Sequence, residues 1–188
     1  MIDHLETDWC EKWALYSPKK LFIREHSTGL EWNYSDFNNR ANKLANYFLN
    51  ELKLKKGERI AVYSKNRAEF ILLFAACVKT GLILVPLNFR LTPRELDLLI
   101  ADAEPALFLF ESDYSEEIQK LTTLQAVPQK IDLKEIRTFL TEPLEQGIKK
   151  PEVSISCTDP VKILYTAGTT GLSKGVIITH KQLFWNAV

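Results

Sequence analysis

The densest set of chemistry-bearing residues in this chain of 188 is Tyr165-Thr166-Ala167-Gly168-Thr169-Thr170-Gly171-Leu172-Ser173-Lys174-Gly175. Three of the 7 glycines fall here, together with three threonines, a serine and a lysine. Glycine has no Cβ, so backbone amides beside it can approach a ligand closely. Amides converging in such a loop form a concave anion site, to which hydroxyls and an ammonium add donors. The chemistry this suits is the holding of phosphate groups. The competing reading of the same composition is an exposed surface turn.

The flanking residues decide what kind of phosphate loop this can be. Val161 to Tyr165 before it and Val176 to Ile178 after it are apolar runs that read as strands. A Walker A loop requires G-x-x-x-x-G-K-[ST] leading into a helix, but Lys174 sits between Ser173 and Gly175 and a strand follows. The dinucleotide pattern G-x-G-x-x-G fails as well, because Gly168 and Gly171 are three apart and no helix follows. A strand–loop–strand setting cannot aim a helix N-terminus at the phosphate. Both helix-based nucleotide motifs are rejected.

Further upstream, residues 4 to 16 pattern as a helix with Leu5, Trp9, Trp13 and Tyr16 on one side. Leu21 to Ile23 and Leu30 to Trp32 flank a Ser27-Thr28-Gly29 turn and suggest a hairpin. Ser35 is placed to cap a helix whose apolar stripe is Phe37, Ala41, Leu44, Ala45, Phe48 and Leu52. Strands are expected at Arg59 to Tyr63, Leu82 to Leu87 and Ala106 to Phe110. Helices are expected between them, at Ala68 to Lys79, closed by Gly81, and from Thr92-Pro93-Arg94-Glu95 to about Ala103. Glu116 to Leu124 looks helical, and Ile131 to Leu140 is ambiguous. Thr179 and Gln182 have capping-box spacing, so a last helix begins near His180. Apolar strands alternating with helices predict an α/β fold: largely parallel sheets with crossover helices.

Bulk composition narrows the function. Lys+Arg and Asp+Glu are both 24, so no basic excess points to nucleic acid, and phosphate binding must come from local geometry. The longest apolar run, Phe70 to Val78, is too short to span a bilayer, so no transmembrane segment is expected. Cys10, Cys77 and Cys157 are scattered and show no C-x-x-C spacing, which suits reduced thiols and a cytoplasmic location. Cys77 reads as a small buried hydrophobe, and His4 and His26 as surface residues. His180 has two readings, a packing or capping residue at a helix start and a substrate-channel residue.

The run Tyr165 to Val176 resembles the phosphate-binding signature of the adenylate-forming enzymes, a superfamily that includes acyl-CoA synthetases, luciferases and nonribosomal-peptide adenylation domains. Thr179 to Ala187, Val85-Pro86-Leu87-Asn88, Leu91 to Leu96, Tyr34-Ser35 and Gly57 to Val62 are similar to the same family in the same order, acyl-CoA synthetases above all. Ala167 departs from the usual serine or threonine, and Ser173 from the usual proline. The resemblance implies AMP-forming ligation: a carboxylate and ATP give an acyl-adenylate and pyrophosphate, and coenzyme A then takes the acyl group. On that pattern Thr166, Ala167, Gly168, Thr169, Thr170, Gly171 and Lys174 bind the ATP phosphates, Lys174 supplies catalytic charge, and Thr166 also meets Mg²⁺. The implied substrate is a small-molecule fatty or aryl acid, within fatty acid metabolism.

The resemblance also implies parts that find no match here: a Tyr-Gly-x-Thr-Glu segment, a ribose-binding aspartate and a late lysine. Residues 1–188 are therefore expected to be a truncated N-terminal portion of the AMP-binding (adenylation) domain, an incomplete N-terminal part of the adenylate-forming fold, with the C-terminal domain absent. Such a portion is expected to be inactive alone, with the missing C-terminal part as a candidate partner chain. An ammonium 4 Å from a phosphate charge is worth about 1 kcal/mol in water and about 4 at an effective dielectric of 20, so an open loop alone is a weak ATP site. Two other readings stay open. One is an amino-acid-activating or other adenylating branch, and the other a non-catalytic remnant or interaction module.

Overall fold

A computed structural model describes residues 6–145, 147–166 and 173–187. The first helix, α1 (Trp9–Tyr16), begins later than its apolar spacing suggests, because the Asp8 side chain accepts from the Glu11 amide and caps it there. Leu5 lies outside the described residues. Next come β1 (Leu21–Arg24) and β2 (Glu31–Asn33), paired antiparallel as the turn chemistry predicts. The long helix α2 (Tyr34–Asn50) is capped by Asn33, whose side chain accepts from the Asp36 amide at 2.8 Å. Ser35 is already inside the first turn, so the expected cap is displaced by two residues.

The remaining strands build one sheet. They are β3 (Arg59–Tyr63), β4 (Ile83–Leu87), β5 (Leu107–Phe110), β6 (Gln129–Asp132), β7 (Pro160–Thr166) and β8 (Lys174–Thr179), in the order β6-β5-β3-β4-β7-β8. Every neighbouring pair is parallel except β7 with β8. The crossovers are α3 (Ala68–Thr80) between β3 and β4, and α4 (Pro93–Ala103) between β4 and β5. Helix α5 (Ser115–Gln119) stops short of the expected Leu124, and a 3₁₀ turn takes over at Thr123–Ala126. The cause is Asp97, whose carboxylate takes the amides and hydroxyls of both Thr122 and Thr123. The ambiguous stretch divides into β6 and α6 (Leu133–Thr141), with Asp132 capping the helix. Helix α7 (His180–Ala187) ends the described chain.

Strand β3 shows why the runs are apolar throughout. Ile60 and Val62 face α2, α3 and α6, whereas Ala61 and Tyr63 face α4. With both faces covered, period-two alternation of polarity disappears, as is usual for parallel sheets. Cys77 is fully buried in the first of these clusters, as expected.

Polar groups fasten the outer pieces to this core. Lys79, with no solvent exposure, donates to Asp8 Oδ2 and Asn38 Oδ1, both at 2.7 Å, so one ammonium joins the start of α1 to α2 and α3. Burial pushes the Asp8 carboxyl up, but Lys79, the Glu11 amide and Lys150 more than offset that, and it titrates below the usual carboxylate range. Glu69, also fully buried, is held by Arg67 at 3.1 Å and lies 3.5 Å from Arg137. Arg137 reaches on to Glu25 beside the β1–β2 hairpin.

Removing one member of a buried pair leaves a charge without its partner, at a cost of several kcal/mol. Lys79→Met is expected to lower unfolding free energy by about 3 kcal/mol in urea titrations, and its effect to be less than additive with Asp8→Asn. Acid should act on the same groups. The Asp8, Asp97 and Asp159 carboxyls are depressed in the fold, so their stabilisation is present above the unfolded value of about 4 and is lost as pH falls through the folded values. Thermal melts should therefore be level near neutrality and fall progressively below about pH 4.

Candidate functional site

Strands β7 and β8 flank the glycine-rich run and pair antiparallel, so the strands read from the sequence on either side of it are both present. In the antiparallel register Thr166 lies opposite Lys174, Tyr165 opposite Gly175 and Leu164 opposite Val176. Facing residues in such a pair have Cβ atoms roughly 5 Å apart. The fold thus brings Thr166 and Lys174 together across the mouth of the hairpin, both exposed to solvent. Ala167, Gly168, Thr169, Thr170 and Gly171 lie outside the described residues.

The mouth stands at the C-terminal end of β7, the edge at which open α/β sheets bind ligands. Among the described residues no cluster of three or more His, Cys, Asp or Glu side chains could hold a metal ion.

Three contacts set the position of the hairpin. Tyr165 donates its hydroxyl to Asp102 Oδ2 at 2.6 Å, tying the top of β7 to the end of α4. Burial, and then the bond to Asp102 and its charge, push the Tyr165 phenol well above its ordinary value, so it stays a donor. Opposite it, Gly175 leaves room for the packing: a Cβ there would lie 3.0 Å from Ile163 Cγ2 and 3.3 Å from the Tyr165 ring. At the base of β7, Lys56 Nζ lies 2.6 Å from Asp159 Oδ2, and the Ser156 amide donates to that same oxygen at 2.7 Å. Burial raises the Asp159 carboxyl, but Lys56 and the Ser156 amide bring it below its usual value. The sequence reading did not find Asp102 or Asp159, because each meets its partner across a long separation in the chain and neither sits in a motif.

The last helix begins where its capping box predicts. The Thr179 amide donates to Gln182 Oε1 at 2.8 Å, and the Gln182 amide donates back to Thr179 Oγ1. His180 follows at once, buried to 4% exposure. Thr179 pairs with Pro160, the first residue of β7, so His180 lies at the opposite end of the hairpin from Thr166 and Lys174. Six residues of strand separate the two ends by roughly 20 Å. His180 is therefore a packed helix-start residue remote from the loop, whereas His26 is exposed.

Comparison with known proteins adds to this geometry. A family profile described as AMP-binding enzyme matches residues 8–188. A feruloyl-CoA synthase from Amycolatopsis sp is 29% identical over 180 residues, covering 96% of this chain and 34% of that protein. A crotonobetaine/carnitine–CoA ligase from Escherichia coli is 28% identical over 199 residues, covering 96% and 37%. The N-terminal domain of FACL13 from Mycobacterium tuberculosis superposes with a TM-score of 0.83 at 28% identity, covering 94% of this chain and 45% of that one. The chain spans about a third of the length of the curated relatives it matches.

The Tyr165–Asp102 bond is open to a direct check. Tyr165→Phe removes one hydrogen bond to a carboxylate at a partly exposed site, worth about 1 kcal/mol. The expected result is a lower urea midpoint with an unchanged slope, and faster amide exchange at Gly175 than at buried β3 positions.

Proposed function

This chain belongs to the AMP-binding enzyme family, and from that premise we propose that it forms the N-terminal part of an AMP-forming acyl-CoA synthetase. The observation that carries the proposal is the pairing of Lys174 with Thr166 across the mouth of the β7–β8 hairpin, at the ligand-binding edge of the sheet. One ammonium and one hydroxyl held side by side on paired strands are preorganised donors for the charge that grows on departing pyrophosphate. Ala167, Gly168, Thr169, Thr170 and Gly171 complete the cradle in this reading, their amides and hydroxyls meeting the β- and γ-phosphates.

In the first reaction a carboxylate oxygen attacks the α-phosphorus of ATP, and the bond to the β-phosphate oxygen breaks to release pyrophosphate. Lys174 neutralises the leaving group. Thr166 would be the residue to hold a Mg²⁺ through its hydroxyl, and the ion would supply further positive charge against the phosphates. In the second, the sulfur of coenzyme A attacks the acyl carbon and AMP leaves. Both relatives named above are called CoA synthase or ligase, which favours thioester formation over the other adenylating chemistries and an acyl or aryl acid as substrate. Fatty acid metabolism is one setting for such an acid.

We assign residues 1–188 to the N-terminal portion of the adenylation domain. The adenine site and the C-terminal domain come from sequence this chain does not hold, supplied as a continuation or as a second chain. Three free thiols suit the reducing cytoplasm, and no helix among the described residues is long and apolar enough to cross a membrane.

The test is carboxylate-dependent ATP–pyrophosphate exchange, with the chain alone and with the C-terminal part of a relative supplied. Exchange is expected only in the second case, and Lys174→Ala should then lower it by between about fivefold and about a thousandfold, in line with the 1 to 4 kcal/mol attraction of one ammonium for a phosphate. Complemented activity that Lys174→Ala leaves untouched would remove the lysine from its role.

A further inference from the structure

Helix α1 holds to the molecule by one side only. Its Cys10 packs against the buried cluster that α2 and α3 share, and none of its 8 residues is itself fully buried. Successive residues of an α-helix turn by about 100°, so the direction opposite Cys10 falls near Lys12, with Leu15 and Tyr16 on either side of it. Exposure agrees: Leu15 is 76% and Tyr16 75% open to solvent. Trp13, on the flank and 40% exposed, also lines an apolar cavity of about 460 Å³ beside His180. The chain then turns through Ser17, Pro18, Lys19 and Lys20 into β1, whose first residue, Leu21, is 42% exposed. Four of the ten large exposed hydrophobic side chains among the described residues thus fall within residues 13–21, a patch and not the scatter that any surface shows.

The free charge in this patch is of one sign. Lys12, Lys19 and Lys20 make no ion pair among the described residues, and Lys12 lies over the Trp9 ring, 4.6 Å from its centre. The acids nearby are already engaged: Asp8 with Lys79 and Lys150, Glu11 with Lys150, Glu25 with Arg137, and Glu31 with Arg24. A second copy seated on this face about a two-fold axis would set the lysines against their own equivalents. An anionic lipid surface meets them with opposite charge. It also takes tryptophan, tyrosine and leucine at the boundary between headgroups and acyl chains. Lysine stems can lie along that boundary while the ammonium stays among the headgroups.

We propose that the outer face of α1 and the turn into β1 dock the protein on an anionic membrane surface. Leu15, Tyr16 and Leu21 enter the headgroup boundary, Trp13 lies at its edge, and Lys12, Lys19 and Lys20 face the lipid phosphates. The attachment is peripheral and reversible. It stands apart from the ligase reading, because it uses no residue of the β7–β8 hairpin.

The probes are vesicles of phosphatidylcholine alone and of phosphatidylcholine with an equal part of phosphatidylglycerol, at low salt. Binding of the whole chain is read by co-sedimentation. Insertion is read from the emission of Trp13 in a Trp185→Phe background, which removes the more exposed tryptophan. Each lysine near an anionic surface strengthens binding about fivefold, so the mixed vesicles should be preferred by about a hundredfold, with a blue shift on binding. Lys19→Glu with Lys20→Glu should lower that preference by at least about twentyfold. Leu15→Asn with Tyr16→Asn should weaken binding by at least about tenfold and diminish the blue shift. All four side chains are exposed, so thermal melts of both variants should match the parent. Leu98→Asn, at an exposed leucine on α4, should leave binding unchanged. Equal binding to the two kinds of vesicle, indifference to either double substitution, or an equal loss from Leu98→Asn would each overturn the proposal.

Discussion

The hairpin that carries the candidate site is limited by one missing hydrogen-bond donor. Ile83 donates its amide to Glu58 on the β3 side, so Val85 and Leu87 point the same way, and Leu84 and Pro86 turn toward β7. Proline has no N–H to give. The ladder between β4 and β7 is accordingly brief, with Leu84 opposite Lys162 as its register pair, whereas β3 and β4 match over five residues. A strand held so lightly by its backbone needs other fastenings. They are found at its two ends, where Tyr165 meets Asp102 and Asp159 meets Lys56. The site is thus a well-paired antiparallel hairpin pinned by side chains to a parallel sheet.

The rest of the molecule follows a division between oil and charge. Strands β3, β4 and β5 bury both faces, so they supply rigidity and no polar function. Polar groups act at the margins, where pieces of irregular chain must be attached. Lys79 fixes α1, Arg137 and Arg67 fix the β1–β2 hairpin and the end of β5, and Asp97 shapes the turn after α5. Each of these buried or half-buried groups has its partner, and that satisfaction keeps buried charge tolerable. Among the described residues Asn42 Oδ1, the Tyr114 hydroxyl and His180 Nε2 are buried without a partner.

Much of this was legible in the residues themselves. Arg59–Tyr63 and the capping box at Thr92 and Glu95 declare themselves locally, the first by continuous apolar character and the second by two reciprocal bonds three residues apart. The paired strands around the loop were equally plain, and the loop's departure from helix-based nucleotide motifs followed from them. What was not legible depends on distant partners. Asn33 displaces Ser35 as a cap because a side-chain oxygen one residue before the helix reaches the Asp36 amide, a choice that composition leaves undetermined. Helix α5 is cut short by Asp97, which lies on another helix. The cavity beside His180 is lined from α1, β1, α2, α3 and α7, and no spacing within one of them announces it.

Gly81 joins the two ends of this account. Its left-handed backbone, φ 70°, closes α3, and its missing side chain leaves a bare patch of main chain. Lys56 lies across that patch: a Cβ on residue 81 would sit 2.7 Å from Lys56 Cγ and 3.0 Å from Ile155 Cδ1. The same lysine then reaches the Ser154 carbonyl and Asp159, which lead into β7. A hydrogen atom at position 81 thus acts as a spacer in a lever that ends at the base of β7, the strand from which the glycine-rich run departs. In a genetic screen, lesions at this inconspicuous helix terminus would sort with lesions at the base of β7, although the two are far apart in the chain.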